Sequence, residues 1–346
     1  MSMTQKLSKR GAFLAASLVL GAALVGPSLS AQTVTTPPVG AVTTTVPVGL
    51  SALGYTLINA DLVVASCASN TPTVVTLSGV SNVGSLLTAS TPYYIEAVSG
   101  TLEGERFDVD TALTIAAGNS TVVLSSVVSV IPSNNNTTVL TENAAAGSRF
   151  ALRKHVTLAQ IQSMFTTPLV SNTNSGLADQ IRLYRPSNGT FITYFLRTQT
   201  AWATGSTPSN NVVIAPGTGF FFNKVTAPAT LVATGGVRLN AFSMPMTEGL
   251  ALRSLGYPVS FSPALLGASG STGWTFNSNS SNADQIRIYN RVNGTFTVNF
   301  ARTTSAWASG STTVTNTAFM PFDGGFFLNR KFADSLYIIP SPITAL

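Results

Sequence analysis

Residues 178–207 (ADQIRLYRPSNGTFITYFLRTQTAWATGST) return at 283–312 as ADQIRIYNRVNGTFTVNFARTTSAWASGST, identical at 19 of 30 positions with a constant offset of 105. A segment that recurs this closely implies related modules, because each copy must bury its own hydrophobic face. The shared residues are those of strands and turns. Ile181, Leu183, Phe191, Thr193 and Phe195 alternate with opposite-face residues about Asn188-Gly189, and the second copy keeps the turn as Asn293-Gly294. Period-two alternation about Asn-Gly predicts a β-hairpin. Further matches, Phe150–Arg153 with Leu250–Arg253 at an offset of 100 and GTGFFFNK at 217–224 with DGGFFLNR at 323–330 at 106, extend each unit to about 90 residues. LGY at 53–55 echoes LGY at 255–257 and reads as the start of a third copy interrupted by a small β insert.

The N-terminus carries Lys6, Lys9 and Arg10, then the uncharged run GAFLAASLVLGAALVG, then Pro27 and small residues up to Ala31. That order predicts a secretory signal peptide over 1–31, cleaved near Ala31–Gln32. No later segment approaches the ~18–20 apolar residues of a membrane span, so no transmembrane helix is expected. Removing the three signal cations from 18 Lys+Arg leaves 15 against 12 Asp+Glu, a net charge of +3. Nucleic acid is therefore an unsuited partner. Charged residues make up only 9% of the chain against 45% hydrophobic, which suits an extracellular β protein with a neutral-polar surface. Cys67 is the only cysteine, so no intramolecular disulfide forms, and a buried, inert thiol is expected.

The fold class expected is all-β: an extended arm at 32–50, a small N-terminal β domain at 51–148, and two tandem modules at 149–240 and 241–346. The arm QTVTTPPVGAVTTTVPVGL has no charge, is rich in Thr and Val, and is divided by Pro37, Pro38 and Pro47 into strand-length pieces. Such a segment suits pairing with a sheet edge, in its own chain or a neighbour's. One short helix is expected at about 156–165, where Leu158, Ile161 and Phe165 share a face and Thr157 can cap the start.

The succession of signal peptide, TVPVG arm, YYIEAVSGTLEGERFDVD, GSRFALRKHVTLAQIQSMF and paired D-Q-I-R-x-Y, N-G-T-F, A-W-A and P-x-x-G-F-F elements resembles a paralogous family of uncharacterised secreted proteins abundant in Verrucomicrobia. The resemblance implies a secreted β-rich protein and brings no activity with it.

Catalytic apparatus is sparse. His155 is the only histidine, no G-x-S-x-G elbow or GK[ST] phosphate loop occurs, and no Cys/His cluster offers zinc ligands. No cofactor is expected. The densest carboxylates are Glu103, Glu105, Asp108 and Asp110, weak candidates for a calcium site or a hydrolytic pair, with Arg106 among them to neutralise part of their charge. Asp179 with Arg182, and Asp284 with Arg287, recur in both copies and are expected to pair and fix a strand end. Trp202 and Trp307, Tyr184 and Tyr289 are also paired, and Trp274 lies in a GWTFNSNS loop. These five are candidates for stacking on sugar rings, against the alternative that large aromatics in β modules pack cores.

The function expected is that of a secreted, non-enzymatic structural protein of the cell surface or extracellular matrix, self-association being one mode of action. The alternatives are an extracellular glycan-binding protein that uses the paired Trp residues, and a secreted hydrolase that uses the carboxylate cluster. Expected partners are copies of the chain itself or a surface polysaccharide, and the periplasm is the alternative location.

Overall fold

The structure, a computed structural model, describes residues 38–126, 140, 147–268, 273–332 and 335–343. The expected signal peptide and the first residues of the arm, 32–37, lie outside the described residues. The chain is all-β, its strands forming antiparallel sheets with two short α-helices among the described residues.

The strands form three bodies. The first holds β1 (Val39–Val46) and β2 (Gly49–Gly54). The second, inserted after β2, holds β3 (Asp61–Thr71), β4 (Val74–Leu77), β5 (Tyr93–Ala97), β6 (Arg106–Asp108), helix α1 (Thr111–Ala117), β7 (Thr121–Val123) and β8 (Arg149–Lys154). The chain then returns to the first body through β9 (Val156–Thr157), α2 (Leu158–Ser163), β10 (Gln180–Arg185), β11 (Thr190–Thr198), β12 (Ala201–Thr204), β13 (Thr207–Pro208), β14 (Val213–Ile214), β15 (Gly219–Lys224) and β16 (Ala229–Gly236). The third body is continuous: β17 (Phe242–Met246), β18 (Gly249–Arg253), β19 (Gln285–Asn290), β20 (Thr295–Thr303), β21 (Ala306–Ser309), β22 (Thr312–Thr313), β23 (Phe326–Arg330) and β24 (Ser335–Ile339).

The first and third bodies each contain a six-stranded sheet of the same order, β13-β12-β11-β10-β15-β2 and β22-β21-β20-β19-β23-β18, plus a two-stranded ribbon, β1-β16 and β17-β24. Registers agree as well. Gln180 to Arg185 face Phe195 to Thr190, and Gln285 to Asn290 face Phe300 to Thr295. A register shift follows Leu196 in one sheet and Ala301 in the other.

These pairings divide the chain differently from the expected ranges. Phe150–Arg153 lies in β8, inside the inserted sheet β6-β5-β8-β3-β4-β7, whereas Leu250–Arg253 is β18 at the edge of the third body. Four similar residues there reflect a common strand pattern, not a common place. The position of β18 is filled in the first body by β2, which pairs with β15 from Gly49↔Lys224 to Gly54↔Gly219. The LGY echo thus marks the first body itself, split by the insert, and not a third copy. The described part of the arm pairs within its own chain, Val39↔Gly236 to Val46↔Ala229.

Local chemistry explains the turns and caps. Asn188-Gly189 and Asn293-Gly294 do sit in hairpins, but as the last half of four-residue loops. Gly189 and Gly294 take the left-handed conformation (φ 68° and 70°), and the Asn188 and Asn293 side chains accept from Thr190 and Thr295. Helix α2 is shorter than expected, and Thr157 caps it by accepting from the Gln160 N–H. The sequence reading missed α1. Asp110 caps its start and Gly118 (φ 63°) ends it.

Each body has its own apolar core. Trp202, Phe220 and Phe222 fill the first, Trp307, Phe242 and Tyr257 the third, and Tyr93, Phe107 and Phe150 the insert. The first and third bodies meet through equivalent surfaces in a reciprocal way. Tyr184 lies edge-on to Phe327 at 5.1 Å, and Tyr289 edge-on to Phe221 at 5.2 Å. Gly54 N–H donates to Asp323 O, and Ser254 N–H donates to Gly217 O, both at 2.9 Å. An approximate twofold therefore relates the contacts, passing near Gly54, where an added Cβ would lie 2.5 Å from Ser254 Cβ.

Trp202 and Trp307 are fully buried, so Trp202→Ala and Trp307→Ala should each lower stability by about 3–5 kcal/mol through lost burial plus a cavity. Denaturant unfolding followed by circular dichroism measures this.

Candidate functional site

Glu103, Glu105, Asp108 and Asp110 do not converge. Gly104 (φ 91°) turns the chain just before β6, so the four acids leave in different directions. Glu103 Oε1 accepts from the Ala241 N–H at 2.8 Å, Asp108 Oδ1 meets His155 Nε2 at 2.7 Å, Asp110 caps α1, and Glu105 is buried. No group of three or more His, Cys, Asp or Glu side chains among the described residues is placed to hold a metal ion. Parted in this way, the four side chains, expected as weak calcium or hydrolytic candidates, form neither a calcium cage nor a hydrolytic pair. His155 is likewise occupied, buried beside the Tyr94 ring at 4.7 Å. The Cys67 thiol is free and buried, and burial pushes its pKa up.

The aromatic candidates are also structural. Trp202, Trp307 and Trp274 are in the cores, the last two edge-on at 5.3 Å. Tyr184 and Tyr289 belong to the contact between the bodies. None of the three Trp residues offers a face to a sugar.

The repeated aspartates pin strands, but with other partners than expected. Asp179 accepts from Lys224 Nζ (2.8 Å), Val170 N–H (2.8 Å) and Val225 N–H (2.9 Å). Asp284 accepts in the same way from Arg330, Thr275 N–H and Lys331 N–H. Both carboxylates are fully buried, and three donors each offset their desolvation. Arg182 and Arg287 point to the other face, where their Nε groups donate to Gln180 and Gln285 Oε1.

The largest assembly of buried charge lies at the neck of the insert, where the chain leaves the first body and returns to it. Asp61 on β3 and Arg153 on β8 are register partners, and Arg153 Nε donates to Asp61 Oδ1 at 2.5 Å. Arg153 Nη1 also reaches Glu96 on β5, whose other oxygen pairs with Arg238 Nη1 from the link between β16 and β17. Asn240 Nδ2 donates to Glu96 Oε1 at 3.3 Å. Next to them Arg106 donates to Gly104 O (3.1 Å) and Ser243 O (2.6 Å), with its guanidinium 4.3 Å from the centre of the Phe242 ring. Arg238 lies over the same ring at 5.0 Å, and both contacts are cation–π in kind. Desolvation pushes Arg106 down to about 10, and lowers Arg238 from its ordinary value. Glu96 thus ties the insert to the link, and Arg106, through Ser243 O and the Phe242 ring, ties the insert to the third body. Glu96, Arg153 and Arg238 were missed in the sequence. The available signal was a single acid within the apolar strand YYIEA, all five of whose residues are buried.

The described surface also carries a polar groove of about 420 Å³ on the outer face of the first sheet, lined by Thr173, Ser175, Thr193, Phe195, Arg197 and Ser206. No family model matches the chain, and no curated protein and no solved structure matches it.

Two outcomes are expected. Glu96→Gln leaves Arg153 and Arg238 with a neutral partner in a dry site and should destabilise by about 3–5 kcal/mol, read by thermal or denaturant unfolding. Burial raises the hydroxyls of Tyr55 and Tyr257 to about 12, above the unfolded value of about 10. A raised folded pKa gives stability that is complete below the unfolded value and is lost as pH rises through the folded one. The Tm should therefore fall between about pH 10 and 12, and Tyr257→Phe should flatten part of that fall.

Proposed function

We propose that the chain is a secreted, non-enzymatic structural protein of the cell surface or extracellular matrix. The observation that carries this reading is the use made of its ionisable groups. Asp61, Glu96 and Arg153 brace the neck of the insert, Arg238 ties it to the link, Asp179 and Asp284 pin strand ends, and the single histidine is closed against Asp108. Groups that an enzyme would hold in a cleft are here spent on rigidity. The signal-like N-terminus, the low charge and the resemblance to secreted Verrucomicrobia proteins support export. No helix among the described residues is long and apolar enough to cross a membrane.

Fractionation of native cells with quantitative mass spectrometry tests the reading. The mature chain, starting near Gln32, should be abundant in the surface or matrix fraction and resist removal by 1 M salt. Recovery chiefly from the cytoplasm, or as a scarce soluble periplasmic protein, would overturn it.

A further inference from the structure

The outer face of the first six-stranded sheet is used in two ways. Its β2 side, with Ala52, Phe221 and Tyr184, is covered by the third body. Its other side, toward β12 and β13, carries the groove. The floor is Phe195, which packs on Ala178 and Ala203, and the hydroxyl-bearing residues Thr173, Ser175 and Ser206 line the walls. Arg197 reaches the groove from β11, its Nη1 making only a long 3.4 Å contact to Ser206 O. A second guanidinium, Arg182, neighbours Thr193 across the ladder and is held by Gln180 through Nε and Nη2, at 3.0 and 2.7 Å. No carboxylate lines the groove. The place combines an apolar edge, several hydroxyls and a guanidinium whose planar fork suits an oxyanion.

The third body repeats most of this set at the equivalent positions. Ser278, Ser280, Phe300, Arg302 and Ser311 correspond to Thr173, Ser175, Phe195, Arg197 and Ser206, with Arg287 and Gln285 in place of Arg182 and Gln180. Phe300 packs on Ala283 and Ala308 as Phe195 does on its own pair. Only Thr193 departs, becoming Val298. Arg197 and Arg302 lie on the outer face, where no core packing dictates their identity, yet both copies have arginine there.

We propose that this groove, and the equivalent residues on the third body, bind an anionic sugar, one unit of a polysaccharide bearing carboxylate or sulfate. The guanidinium of Arg197 or Arg302 takes the anion, the wall hydroxyls take the ring hydroxyls, and the phenyl edge takes the apolar flank of the ring. The volume accommodates one or two sugar units, and a site built on one half-exposed guanidinium is expected to be weak, about millimolar per unit. Binding to a polymer would use both bodies. The inference does not depend on the structural role proposed above, since either can fail alone.

Affinity electrophoresis of the purified mature protein in gels containing polygalacturonate, dextran sulfate or neutral dextran tests it. Retardation is expected in one or both anionic gels and not in dextran; the carboxylated and sulfated arms identify the anion. R197A/R302A should weaken retardation at least tenfold, as should S206F/S311F, which places a bulky ring in the groove and at the equivalent place on the third body and leaves every cation where it is. R149A, which removes an exposed cation on the insert, should change little. Circular dichroism checks that each variant is folded. Absence of retardation, equal retardation in dextran, or retardation that survives either double variant would overturn the proposal, as would equal sensitivity to R149A, the mark of general attraction to a basic protein.

Discussion

The buried charge cluster around Glu96 is the constraint about which the insert, the link and the start of the third body are arranged. A carboxylate in the middle of a fully buried strand is tolerable only with cationic partners delivered to it, and the fold brings Arg153 from a neighbouring strand and Arg238 from a link some 140 residues away. Asp61 then balances Arg153, and Phe242 gives Arg106 and Arg238 an aromatic face. The insert cannot rotate on its neck without parting this carboxylate from Arg238, nor can the third body shift without parting Ser243 and Phe242 from Arg106. Apolar packing alone would be less particular, because it is non-directional and tolerates sliding.

The second constraint is the approximate twofold between the first and third bodies. Equivalent residues meet equivalent residues across it, so one surface chemistry serves both sides, as in an isologous dimer interface. Small residues occur where the backbones approach closely. Gly219 faces Arg253 O and Gly325 faces Leu53 O, at 2.5 and 2.8 Å from where a Cβ would stand. The insert breaks the symmetry. It occupies the edge of β17, where Ser243 N–H donates to Gly104 O, while Thr43, at the matching place on β1, is exposed.

Much of the architecture was legible in the sequence because it rests on local signals. Alternation about Asn188-Gly189, the Thr157 cap and the repeated aromatic strand at 220–222 and 326–327 are short-range patterns, and the strands stand where they indicate. The body boundaries were not legible, because β2 finds β15 some 165 residues later, and short strand motifs such as FALR and LALR say nothing about which sheet receives them. The site candidates failed for a related reason. Trp202, Trp274 and Trp307 are as suited to a core as to a ligand, and only burial separates the two uses. Asp179 found Lys224, not the nearby Arg182, because residues three apart near the start of a strand project to opposite faces. The neck cluster draws residues from distant segments, Glu96, Arg153 and Arg238, and no spacing rule announces it, whereas the groove lies within 173–206 and only the folded sheet shows that its residues share a face.

The ribbon of β1 and β16 closes the first body with its first and last strands. During synthesis, β1 emerges nearly two hundred residues before its partner, and the whole insert intervenes. Loop closure over that span is entropically slow, and pairing that is this non-local delays folding. The first body thus has no way to complete itself while the chain is still short. The insert, whose ends lie side by side at Asp61 and Arg153, can close early on its own contacts. Under the export proposed above, such a late keystone would keep the first body open until most of the chain has been made, because β1 has nothing to bind before β16 emerges.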